Sequence, residues 1–249
     1  MALADQISAS RCQTAIISAE GLSGERPVFS RALAPLADRF DVTIVAFLRR
    51  HDFWAESFYK QMVLSREVRE SRSFADFLDL PATKAHMRFA TIMSWWADTF
   101  GQSALRVAPF EKSDIVGPVH RFIALAGLPG ALRKLPHVDT HQNPGLPAAA
   151  IDIVRHANAE GHDVDVTQLP QLAKQMEDNS SAFLTENQRR QILLEHEDDD
   201  HALLKYHQPM GRNRFFAQHV NINASRAIAW NVAEAEARSA LFLPNLTKN

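Results

Sequence analysis

Arg49 and Arg50, followed two residues later by Asp52 and then by Ser57, are the side chains whose types and spacing best suit chemistry. They stand where a short β-rich apolar run, Val42 to Leu48, gives way to Phe53, Trp54, Phe58 and Tyr59 at helical spacing. The run is long enough to cross a sheet and too short for a membrane. Asp52 suits the N-cap of the helix that follows. A parallel strand, a turn with arginine at its mouth and a helix N-terminus aimed back at the turn together make an anion site. Backbone N–H groups, the helix dipole and the guanidinium fork all favour negative charge there. Ser57, about one and a half turns into the helix, brings a hydroxyl within reach of the same anion. The plainer reading, a surface arginine pair beside an ordinary amphipathic helix, stays open, because strand–Arg–helix is common in α/β proteins.

Other candidates are thinner. Thr14 to Ser18 reads as a second short strand, which puts Glu20 just past a strand's C-terminal end, where parallel α/β sheets place their ligands. Gly21 and Gly24 lack the spacing and the Lys-Ser/Thr of a Walker loop. Glu197 and His201, at i and i+4 inside the acidic stretch 195–201, are placed to share a metal, but spacing supplies no third ligand. A solvated acidic face explains them as well. No metal is expected.

The elements that must position these groups follow from periodicity and punctuation. Residues 2–11 read as the tail of a short amphipathic helix, and Pro27 fits the first turn of one running to about Phe40. Ser73 caps a short helix stopped by Pro81, and Lys84 to Phe100 forms a long one closed by Gly101. Ala104 to Ala108 is a third strand candidate, leading through PFEKSDI to a helix that ends near Gly127. Residues 129–147 carry four prolines, His137 and His141 without periodicity, the mark of a long functional loop. Pro147 opens a helix closed at Gly161, and Thr185 with Gln188 forms a capping box for a helix to about Tyr206. A last helix spans about Ala224 to Leu243. The three strand runs are expected as parallel neighbours or near-neighbours, since none is joined to the next by a hairpin turn.

The chain has 249 residues, 46% of them hydrophobic and 22% charged, which suits one large α/β domain with a sizeable core. A net charge of −2 gives no electrostatic case for nucleic acid or an anionic membrane as the main partner. The single cysteine, Cys12, excludes an internal disulfide and a thiolate zinc site. No apolar run approaches about 20 residues, so no transmembrane segment is expected and residence in the cytoplasm is the default.

The order ISAEGL, a strand, R-x7-S followed by Tyr59 and Lys60, then WWADTFG, then a strand with PFEKSDI and RFIALAGLP resembles bacterial members of the sulfotransferase superfamily. The likeness runs from about Thr14 to Phe216 and is densest at 14–60 and 92–129. It implies a P-loop-NTPase-like parallel sheet flanked by helices: an α/β nucleotide-binding part over 1–128, then a loop and helical part over 129–249. It also implies sulfuryl transfer from 3′-phosphoadenosine 5′-phosphosulfate to a hydroxyl or amine, carbohydrate among the possible acceptors. In that family an arginine after a strand and a serine eight residues later hold the donor's 3′-phosphate, and Arg49 and Ser57 match that pair.

The family's first strand, G-x-x-K-x-G-T-T loop and helix have no counterpart in this sequence. The chain therefore starts late relative to the intact protein, is a degenerate member, or fills the gap with another segment. Sulfuryl transfer is an in-line displacement that rests on positioning and on cations around the transferring oxygens, and the acceptor needs a base. By likeness to carbohydrate-modifying relatives Glu20 is the expected general base, with a histidine of the 137–141 loop as runner-up. Two other classes remain: a non-catalytic nucleotide-binding or interaction protein on the same scaffold, and a nucleotide-kinase relative, which the missing Walker lysine disfavours.

Overall fold

The structure, a computed structural model, describes residues 3–24, 26–110, 117–128, 130, 145–176, 180, 182–206 and 215–216. In chain order these build α1 (Leu3–Ala9), α2 (Val28–Leu33), β1 (Ile44–Leu48), α3 (His51–Leu64), α4 (Phe74–Leu78), α5 (Pro81–His86) and α6 (Phe89–Phe100). Then come β2 (Leu105–Pro109), α7 (Gly117–Leu125), α8 (Ala148–Ala159), α9 (Leu169–Ala173), α10 (Glu186–Glu195) and α11 (Glu197–Leu203). The protein is mixed α/β and mostly helical, with one small parallel sheet among the described residues. These residues gather into two compact units. One draws on Met1–Arg50, Ala85–Thr140 and His196–Ala217, the other on His51–Lys84 and His141–Glu195.

In the first unit β1 pairs parallel with β2, from Ile44 opposite Leu105 to Leu48 opposite Pro109. Leu105, Val107 and Ala108 are buried, the near-continuous apolar run that a strand covered on both faces requires. β1 is half-buried along its whole length. The third expected strand is not there. Residues 14–18 form no strand, and Ile16 and Ile17 are 60% and 44% exposed. A β-prone run without a neighbouring strand gains neither ladder bonds nor burial, so propensity alone does not hold it.

Helix α6 buries Phe89, Ile92, Met93 and Trp96. Gly101, at φ +85°, ends it in a backbone conformation that a side chain would strain. The single helix expected over 84–100 is two, because the chain turns at Met87, whose side chain is buried. Arg88 gives α6 no side-chain cap. The Ala90 N–H instead donates to both oxygens of Asp199 on α11, at 3.1 and 3.2 Å. A carboxylate on the first turn of a helix satisfies an orphan donor and complements the dipole. The acidic stretch thus contributes a remote helix cap. Among the described residues no group of three or more His, Cys, Asp or Glu side chains is placed to hold a metal.

The second unit is helical. Its core sets Tyr59, Val63 and Phe77 against Ala149, Ala150, Ile151, Ile153, Val154 and Ala157 of α8. Three alanines open α8, and such small residues let α3 approach closely. Asn158 closes the end of α3, donating to the carbonyls of Val63 (2.9 Å) and Glu70 (3.1 Å). The capping box at α10 forms as expected: Thr185 N–H donates to Gln188 Oε1 (2.9 Å) and Gln188 N–H to Thr185 Oγ1 (3.2 Å). The helix does not run on to Tyr206 but breaks at His196.

Glu70 shows what its surroundings do to a buried carboxyl. Desolvation would raise its pKa, but hydrogen bonds from the Arg72 side chain, the Arg72 N–H and the Ser71 N–H outweigh burial and hold it below the usual carboxylate range. A depressed folded pKa contributes stability above the unfolded value of about 4.3 and loses it as pH falls through the folded one. The stability gap between wild type and Glu70→Gln is therefore expected to be full at pH 7 and to close below about pH 4. Urea midpoints at both pH values check this, and an unchanged gap in acid would contradict it.

Candidate anion-binding site

The carboxyl end of the β1–β2 pair is where arginines collect in the first unit. Register partners in a parallel pair point to the same face, and so do residues two apart along a strand. Phe47 is opposite Ala108, so Phe47, Arg49 and Phe110 fall on one face as the chains leave the sheet. The Phe110 N–H donates to the Leu48 carbonyl at 2.7 Å, which carries the pairing one step past the strands. The Arg49 guanidinium then lies over the Phe110 ring, 5.1 Å from its centroid.

Arg49 is half-buried, and desolvation lowers its pKa below that of a free guanidinium. Among the described residues no carboxylate pairs with it. A ring face stabilises a cation by about 0.5–1 kcal/mol at an exposed site and about 2 kcal/mol when desolvated, but it supplies no counter-charge and no hydrogen-bond acceptor for the guanidinium fork. Such a charge is suited to receive an anion. Arg50, next in the chain, is nearly buried at 8% exposure.

A second guanidinium reaches the same face from α7. Arg121 donates through Nη1 to the Pro109 carbonyl at 2.9 Å and lies 5.8 Å from the Phe47 ring centroid. Its sequence context, RFIALAGLP, carries no sign of this placement.

The other sequence-derived residues fare differently. Ser57 lies on α3 in the second unit and is half-buried. Asp52 does not cap α3, because the helix already includes His51 and takes Asp52 into its first turn. There Asp52 is fully buried and accepts from Arg189 Nη1 at 3.0 Å. The start of α3 therefore carries its own carboxylate, and the case for an anion rests on Arg49 more than on that helix's dipole. Glu20 opens a 3-10 turn, Glu20–Ser23, and its side chain lies outside the described residues. With no strand over 14–18, the placement that singled Glu20 out falls away. His137 and His141 also lie outside the described residues, as does the helix expected over 224–243.

Among the described residues no helix is long and apolar enough to cross a membrane. No family model, no curated protein and no solved structure matches the chain.

Proposed function

We propose that the chain is a sulfotransferase-like nucleotide-binding protein on a P-loop-NTPase-like scaffold, and that Arg49 holds the 3′-phosphate of 3′-phosphoadenosine 5′-phosphosulfate. One observation carries this reading. The Arg49 guanidinium stands half-buried at the carboxyl end of a parallel strand pair, where open α/β sheets bind their ligands, without an ion pair among the described residues. Ser57 enters by its R-x7-S spacing from Arg49.

Titration calorimetry with 3′-phosphoadenosine 5′-phosphate and with 5′-AMP tests the proposal. Preference for the first nucleotide is expected. A charge-assisted contact is worth about 1.5–3 kcal/mol, so Arg49→Ala should weaken binding roughly 10- to 100-fold. Ser57→Ala should cost less, since it removes a single hydroxyl bond. Equal affinity for both nucleotides, or no effect of Arg49→Ala on a folded chain, overturns the reading. A second reading, a non-catalytic nucleotide-binding or interaction protein on the same scaffold, is favoured by the absence of a G-x-x-K-x-G-T-T loop from the sequence. Binding without measurable sulfate transfer supports it.

A further inference from the structure

We infer that the outer edge of β1 is a docking surface for a second copy of this chain, joined β1 to β1, antiparallel, about a two-fold axis. The ladder decides which backbone groups are available. In a parallel pair one residue bonds both neighbours of its register partner, and the next residue along turns its N–H and carbonyl away. The Phe110 N–H donates to the Leu48 carbonyl and Leu48 is opposite Pro109, so Ile44, Ala46 and Leu48 face β2. Val45 and Phe47 therefore aim their N–H and carbonyl groups outward, and no hydrogen bond reaches these groups among the described residues.

The outer edge of β2 is closed by contrast. The same alternation turns Leu105, Val107 and Pro109 outward there. The Leu105 carbonyl accepts from Arg106 Nη1 at 2.8 Å and the Pro109 carbonyl from Arg121 Nη1 at 2.9 Å. Proline has no N–H to leave unpaired, and Val107 is engaged as well. β1 carries no such guard. Ile44–Leu48 contains no proline and no charge, the residues that keep natural strand edges from pairing, and its apolar side chains are only half-buried.

Backbone and charge both fit this edge to itself. Two antiparallel β1 strands centred on Ala46 set Val45 of each copy opposite Phe47 of the other. Both pairs exchange two bonds, the self-complementarity that a two-fold contact requires. Carried outward, the register sets Arg49 opposite Thr43 of the second copy and diagonal to its Asp41, on one face and within reach of a long side chain. Asp41 is exposed, and neither it nor Arg49 has an ion pair among the described residues. The inference does not depend on which anion Arg49 takes in the single chain.

Sedimentation equilibrium of the full chain over the micromolar range, without nucleotide, reads the assembly. A monomer–dimer equilibrium is expected; a monomer throughout, or growth into open-ended oligomers, overturns the inference. Val45→Pro removes an outward N–H and leaves the β1–β2 ladder its bonds. It takes two bonds from the symmetric contact, so it should weaken the dimer roughly 10- to 100-fold. Asp41→Lys should weaken it a few-fold, and adding Arg49→Asp should restore it. An unchanged dimer in folded Val45→Pro, or no restoration in the charge swap, overturns the inference. So does a dimer that Ile16→Asp abolishes and Val45→Pro does not, which would place the contact at the exposed run 14–18.

Amide hydrogen exchange on the unaltered protein covers the case of a variant that does not fold. Exchange at Val45 and Phe47 should slow about 10-fold from dilute to concentrated protein, while Ala46 and Leu48 stay protected at both. Slow exchange at Val45 and Phe47 at every concentration would mean that the chain covers this edge itself. Fast exchange at every concentration would mean that nothing pairs with it, and either result overturns the inference.

Discussion

Replacing Arg189 with leucine is expected to destabilise the fold by about 3–5 kcal/mol, a large share of the roughly 5–15 kcal/mol that holds a domain together. Arg189 is 5% exposed and holds two carboxylates of α3 at once. Nη1 donates to Asp52 Oδ2 at 3.0 Å, and Nη2 to both oxygens of Glu56 at 2.8 Å. Glu56 also accepts from the backbone N–H groups of Phe183 (2.6 Å) and Leu184 (3.1 Å), so it ties the segment before α10 to α3 as well. Leucine fills much of the volume but leaves two buried carboxylates without their cation, and that uncompensated charge sets the size of the loss. Arg189→Lys should lose less, because it keeps the charge without a fork that spans both acids. Urea unfolding followed by circular dichroism measures both. A loss below about 1 kcal/mol for Arg189→Leu would show that water reaches the acids and that the triad is not a buried unit.

Tyr59→Ala is expected to cost a similar 3–5 kcal/mol, through a different cause. The Tyr59 ring is 1% exposed and lies 5.1–5.2 Å from the rings of Phe74, Phe77 and Phe183, so truncation opens a cavity among three aromatics. Its hydroxyl donates to the Arg72 carbonyl at 2.8 Å, and burial raises its pKa far above the ordinary tyrosine value. Tyr59→Phe separates the two contributions. It keeps the ring and removes one hydrogen bond, for about 1 kcal/mol. Thermal or urea unfolding of the pair decides it. If both variants lost the same amount, the ring packing would not be what holds this part of α3.

The contrast between these residues and the expected ones shows which features a sequence carries openly. β1 and β2 are apolar runs bounded by polar turns, and the pattern that marks them is the pattern that buries them. Ser73, Gly101, Gly161 and the Thr185–Gln188 box act within a few residues of themselves, so their roles are local and visible. TAIIS has the same local look as β1, yet whether it pairs depends on a neighbour that no local pattern encodes. Arg49 is legible because it ends a strand. Arg121 is not, since only the fold brings α7 to that strand's end. Asp199 and Arg189 are hidden for the same reason: their partners lie 109 and 137 residues away along the chain.

Those long separations matter before the protein is ever complete. Each β1 residue finds its partner about 60 positions later in the chain, so at about 5–20 residues per second a ribosome leaves β1 without its neighbour for roughly 3–12 s. During that interval Ile44 to Leu48 are an apolar strand with both backbone edges open, the kind of segment that associates with other unfinished chains or is taken up by a holding chaperone. Slow codons after residue 48 would lengthen the exposure, and fast ones would shorten it. The yield of folded protein should therefore depend on translation rate between the two strands more than on the rate anywhere within α8.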